Sequence, residues 1–136
     1  MDKPEILNLY KQMLLLREFE LAAQVACRSG ETPGFLHLYI GQEATAVGIY
    51  AHLSKKDWVT STHRGHGHAL AKGMDPKILM AELYGKQDGC CGGRGGTMHL
   101  YDREVGLFGT NGLVGGGIPS AVGVGLAARH KKTPHL

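Results

Sequence analysis

The sequence predicts an α/β domain, and three features carry that prediction. Residues 1–56 read as mainly helical, the β-rich run "DWVTST" at 57–62 turns directly into helix, and glycine-rich loops then lead into a last helix. Helix first, then strand, loop and helix is the order expected near the beginning of an α/β fold.

Each element has its own local signal. Pro4 suits a first helical turn, Ile6, Leu9, Met13, Leu16, Leu21 and Val25 recur at helical spacing, and Gly30 supplies a stop. "ETPGFLHLYIGQ" (31–42) is an extended apolar stretch. A second helix is predicted from Gln42 through Leu53, where Ala44, Ala46 and Gly48 permit close packing. After the strand at 57–62, "HRGHGHALAKG" becomes helical before Gly73. "DPKILMAELYGK" is a third helix, with Asp75 as N-cap, Pro76 in first position and Gly85 at its end. Loops run from Gln87 to Gly117, broken by a short strand around "TMHLY" (97–101). Beyond Pro119, "SAVGVGLAARHK" is a helix with a smooth, small-residue face.

Composition narrows the function classes. Hydrophobic residues make up 43% of the 136 positions, enough for a real core. The net charge of +3 is spread without a basic run, so nucleic acid is a poor partner. Glycine is the outlier, 21 residues against a usual share of roughly 7%, with five at 89–96 and five at 109–117, which marks loops that approach something closely. Three cysteines, two of them adjacent at Cys90 and Cys91, make no disulfide framework and point to a reducing, cytoplasmic setting. The N-terminus has no apolar signal core. Val105 to Ala128 is uncharged, but eight glycines, Pro119, Thr110 and Asn111 interrupt it. It reads as a buried loop followed by a tightly packed helix, not a membrane span.

"STHRGHGH" (61–68) is the densest chemistry in the sequence. As a zinc site, His63, His66 and His68 have tempting spacing, yet a helix starting at 66 sends His66 and His68 to different sides, and Arg64 opposes a dication. As an anion site, a strand turning into a helix exposes backbone N–H groups, Arg64 adds a planar donor, His63 another, and Gly65 and Gly67 allow close approach. A solvated surface turn is the bland alternative. "GVGLAA" (123–128) matches a dinucleotide glycine pattern but lies inside a helix, so its glycines serve packing. "GCCGGRGGTMH" (89–99) lacks the Lys-Ser/Thr ending of a P-loop. "GTNGLVGGGIP" (109–119) can present backbone groups to a flat ligand beneath Leu113 and Val114, or can simply be a packing turn.

Taken together, "GFLHLYIGQEA" (34–44), "STHRGHGHALAKG" (61–73), "AELYGKQDG" (81–89), "GGRGGTMHLY" (92–101) and "GTNGLVGGGIPSAVGVGLA" (109–127) resemble the α-subunit of thiamine-diphosphate-dependent E1 components. That family serves the pyruvate, acetoin and branched-chain 2-oxoacid dehydrogenase complexes, and the second and last blocks look most like the acetoin or pyruvate branches.

The resemblance implies the N-terminal part of a thiamine-diphosphate-binding fold, with 1–56 a helical segment and 57–136 the start of the cofactor-binding module. It implies a cofactor shared with an E1 β-subunit in an α2β2 assembly, and an acyl group passed to the lipoyl group of an E2 acyltransferase. By motif position His63 and Arg64 reach the diphosphate, and His37 lies near the same phosphates or the entrance. Gly112 and Val114 hold the aminopyrimidine ring through backbone C=O and N–H groups, the Val114 side chain helping to keep the cofactor bent. The family's Gly-Asp-Gly signature, which supplies Mg²⁺ ligands, does not occur in this sequence. The expectation is therefore an N-terminal portion of a longer polypeptide, with its magnesium ligands further downstream and no catalysis of its own. Two rival readings stand beside it: a metal-binding domain using His63, His66 and His68, and a non-catalytic subunit-interaction module.

Overall fold

A computed structural model describes residues 2–133. The elements are α1 (Lys3–Arg28), α2 (Glu43–Tyr50), β1 (Val59–Thr60), α3 (His66–Ala71), α4 (Pro76–Leu83), β2 (Leu107–Gly109) and α5 (Gly117–Lys131). β1 and β2 pair in parallel, Val59 against Leu107 and Thr60 against Gly109, with an irregularity between the two pairs. The α/β class predicted from the sequence is thus the one observed.

α1 begins in a reciprocal cap. The Glu5 N–H donates to Asp2 Oδ1 at 2.9 Å, and the Asp2 N–H donates to Glu5 Oε2 at 2.7 Å. At the other end Gly30 adopts φ +76°, which stops the helix where the sequence predicts. The buried stripe differs from the expected one. Leu16, Phe19, Glu20, Ala23 and Ala26 are buried, and Leu9 and Met13 pack against the core, whereas Ile6, Leu21 and Val25 are exposed. The stripe runs through Phe19 and Glu20, whose buried Oε1 lies 3.0 Å from His66 Nδ1 on α3. Leu16 and Phe19 each contribute roughly 1.5–3 kcal/mol by leaving water.

α2 stops at Tyr50, short of Leu53. The side chain of Gln42 makes no capping bond; instead the Glu43 carboxylate accepts the Gly41 N–H at 3.1 Å and Arg17 Nε at 2.6 Å, tying α2 to α1. α4 follows its sequence signals closely. Asp75 accepts the Lys77 N–H at 2.8 Å, Pro76 opens the helix, and Gly85 leaves it at φ +66°. One core joins the helical segment to the strands, through Leu16, Tyr39, Val47, Leu70, Leu79, Leu83, Leu100 and Leu107.

Two expectations are corrected. "TMHLY" forms no strand; β2 lies at Leu107–Gly109 instead. Leu100 is held beside it because its N–H donates to Thr110 Oγ1 at 2.8 Å and its C=O accepts the Thr110 N–H at 3.0 Å. The stretch before β2 therefore caps that strand rather than extending the sheet. Second, α5 is not tightly packed: it has no buried residue, and Ile118, Val122 and Leu126 are 67–69% exposed. Its Gly123 and Gly125 have open space where a Cβ would stand. Among the described residues no helix is long and apolar enough to cross a membrane.

Candidate functional site

The turns that follow the two strands meet. The Ser61 N–H donates to the Gly109 carbonyl at 2.9 Å, carrying the ladder one step beyond β1. A Cβ on Gly65 would fall on Thr110 Cγ2 and 2.8 Å from Thr110 Cβ, so the 61–68 turn is seated against the start of the 109–117 loop. Both loops leave the carboxyl ends of adjacent parallel strands, the place where open α/β sheets bind ligands. Gly67 is needed for a different reason. A side chain there would enter the ring of buried Tyr39, which docks the 34–41 stretch on α3.

That docking assembles three of the predicted residues. The rings of His37 and His63 meet edge to face, centroids 5.2 Å apart and planes at 88°. Arg64 donates an η N–H to the carbonyl of Leu38, the neighbour of His37. His63 Nδ1 is buried without a hydrogen-bond partner among the described residues. A buried ring nitrogen left without a partner costs roughly 1–3 kcal/mol, which a bound anion would relieve.

The other two histidines turn elsewhere. His66 is fully buried; its Nδ1 lies 3.0 Å from Glu20 Oε1 and its Nε2 2.7 Å from Thr97 Oγ1. His68 Nδ1 meets Ser61 Oγ at 2.5 Å, its Nε2 meets the Tyr39 hydroxyl at 3.0 Å, and its ring stacks on Tyr50 at 5.7 Å. Burial lowers the His68 pKa, and burial also raises that of Tyr50. With His66 and His68 committed to separate partners, the three rings form no common focus for a cation among the described residues, which removes the geometric support for a site built on His63, His66 and His68. The Glu20 and Thr97 partners were missed in the sequence. The available signal was Glu20 itself, a carboxylate within the stripe of Leu16 and Ala23.

The glycine-rich loop at 89–96 is organised by one residue. Buried Glu82 on α4 accepts the N–H groups of Cys91 (2.7 Å) and Gly93 (2.9 Å) on Oε2, and of Gly95 (2.7 Å) and Gly96 (3.1 Å) on Oε1. Burial pushes its pKa up, but those four donors outweigh it and hold the carboxyl below its ordinary value. The loop then delivers Thr97 to His66 and Met98 and His99 to Gly112, whose added Cβ would lie 3.7 Å from Met98 Sδ.

Gly112 and Val114 lie on the loop after β2, where Asn111 Oδ1 accepts the Leu113 N–H at 2.8 Å. Leu113 and Val114 are 72% and 78% exposed. Their side chains stand clear of the core. A hollow of about 800 Å³ lies between Trp58, Phe108 and one flank of α5 and touches none of the five predicted residues.

With this geometry in hand, the comparisons with known proteins are specific. The family described as dehydrogenase E1 component matches residues 11–136. The α subunits of acetoin:2,6-dichlorophenolindophenol oxidoreductase from Cupriavidus necator and Bacillus subtilis are each 47% identical, over 96% and 100% of this chain. The pyruvate dehydrogenase E1 component α subunit of Zymomonas mobilis is 48% identical over 96% of it. The chain spans 39%, 41% and 36% of the length of these three relatives. A family match over residues 11–136, with relatives 47–48% identical over nearly all of its residues, leads to one conclusion: the chain belongs to the dehydrogenase E1 component family.

Proposed function

We propose that this chain forms the diphosphate edge of the α subunit of a thiamine-diphosphate-dependent dehydrogenase complex that acts on pyruvate or acetoin. The observation that carries this reading is the His63–Arg64 pair at the carboxyl end of β1, with a buried, unpartnered Nδ1 on His63. When bound, the cofactor supplies a nucleophilic carbon that adds to a carbonyl and a ring that accepts the electrons released on bond cleavage.

The residues present fit its anionic end. Arg64 is anchored to Leu38 through one η N–H, leaving the rest of its planar fork for phosphate oxygens, where charge-assisted bonds are strongest. His63 donates from Nδ1, and the His37 ring edge fixes the plane in which it does so. The backbone C=O of Gly112 and N–H of Val114 would hold the aminopyrimidine ring, with the exposed Val114 side chain placed against the cofactor. Mg²⁺ is held by ligands other than these five residues. A β subunit completes the pocket, the acyl group moves to the lipoyl group of an E2 partner, and free Cys27, Cys90 and Cys91 support a cytoplasmic setting.

The test is a chimera in which this chain replaces the matching part of the Bacillus subtilis relative, expressed with that organism's β subunit. Acetoin-dependent reduction of 2,6-dichlorophenolindophenol that requires added thiamine diphosphate is expected, and Arg64→Met should lower it about a hundredfold. An assembled chimera whose activity is the same with Arg64→Met would refute the assignment.

A further inference from the structure

Cys90 and Cys91 belong to no step of the proposed function. Their Sγ atoms lie 3.9 Å apart, both partly exposed, at the start of the loop that Glu82 pins. A disulfide does not suit them. Residues joined by a trans peptide have Cα atoms about 3.8 Å apart, below the roughly 4.4–6.8 Å that a relaxed disulfide spans. A single atom bonded to both sulfurs does suit them. Two bonds of about 2.3 Å meeting at about 90–110° place the sulfurs about 3.3–3.8 Å apart, within a small side-chain adjustment of what is observed.

The nature of that atom is limited by the neighbours. Glu82 lies close enough to be a third ligand, but each of its oxygens already accepts two backbone N–H groups. Among the described residues the site therefore offers two soft sulfurs and no further free side-chain ligand, too few for a tetrahedral zinc ion. Burial and the neighbouring thiol push Cys90 up to about 12, so a dication needing two thiolates must first drive off a reluctant proton.

We propose that Cys90 and Cys91 form a dithiol site for trivalent organoarsenicals of the type R–As=O. In this condensation two S–H bonds and the As=O bond break, two As–S bonds form, and both thiol protons leave on the oxygen as water. Arsenic stays trivalent, and no net deprotonation is required. The product joins the two neighbouring side chains at the start of the loop that carries Thr97 to His66.

The test uses the 136-residue protein and phenylarsine oxide, read by intact mass and by competition with thiols. One equivalent should be captured, released by 2,3-dimercaptopropanol but not by an equal excess of a monothiol. Capture should survive Cys27→Ser and be lost in both Cys90→Ser and Cys91→Ser. Because the fold presets the sulfur spacing, the urea-unfolded protein should bind at least about tenfold more weakly. Stoichiometric capture by either serine variant at 90 or 91, or equal affinity in the unfolded protein, would overturn the proposal.

Discussion

Gly65 sits directly against Thr110, leaving no room for a methyl group between the turn after β1 and the loop after β2. This contact holds the two halves of the candidate site in register. Gly65→Ala should therefore destabilise the protein by about 2–3 kcal/mol, read by urea denaturation. Adding Thr110→Ser removes Cγ2 but leaves the Cβ contact, so it should restore only part of the loss. An unchanged midpoint for Gly65→Ala would show that the turns are not so joined.

Glu82 satisfies four loop N–H groups with one carboxylate. Glu82→Gln exchanges an acceptor oxygen for an N–H₂ that faces two donors, and it should cost about 3 kcal/mol. Amide hydrogen exchange at Cys91, Gly93, Gly95 and Gly96 should speed up together. Protection unchanged at all four would contradict the pin.

The Arg17 guanidinium beside Glu43 holds its carboxyl at about 2, helped by the Gly41 N–H and opposed by burial. The unfolded state therefore takes up this proton first as pH falls. The stabilisation is complete above the ordinary value of 4.5 and is lost between there and about 2. In Arg17→Met the Glu43 titration, followed by carboxyl NMR, should move up toward 4.5, and acid unfolding should begin at higher pH. Superimposable titrations would rule out the pair as the cause.

Burial lowers the His68 pKa, and both of its ring nitrogens have neutral hydroxyl partners. The folded state thus resists a proton that the unfolded state accepts. Its contribution is full above the ordinary value of 6.5 and declines as pH falls below it. Imidazole NMR should show His68 titrating below 6.5, and Ser61→Ala should disturb this resonance more than that of His66. A midpoint above 6.5 would contradict the neutral assignment.

Much of this was legible in the sequence where a local rule acts alone. The Asp75–Pro76 start, the glycine stops at 30 and 85, and the helix beginning at His66 all follow from backbone chemistry within a few residues. What stayed hidden depended on distant partners. The stripe of α1 departs from simple apolar spacing because Glu20 is buried by His66, 46 positions away, and β2 lies beyond "TMHLY" because Leu100 answers to Thr110 across a turn. The small-residue face of α5 suggested tight packing, yet among the described residues it meets the β1 side, around Trp58 and Thr60, and no residue of the helix is buried. For the site, motif position named His37, His63 and Arg64 and the sequence marked Gly65 and Gly67 for close approach, but only the fold shows that what they approach is Thr110 and Tyr39.

The central claim is that His63 and Arg64 form the diphosphate subsite, and an NMR titration of the protein with inorganic pyrophosphate tests it most directly. Binding should be weak, on the order of millimolar, with shifts centred on His63, Arg64 and His37 that vanish in Arg64→Met. Shifts centred instead on Lys55, Lys56, Arg103 and Lys131 around the α5 hollow, and untouched by Arg64→Met, would contradict it.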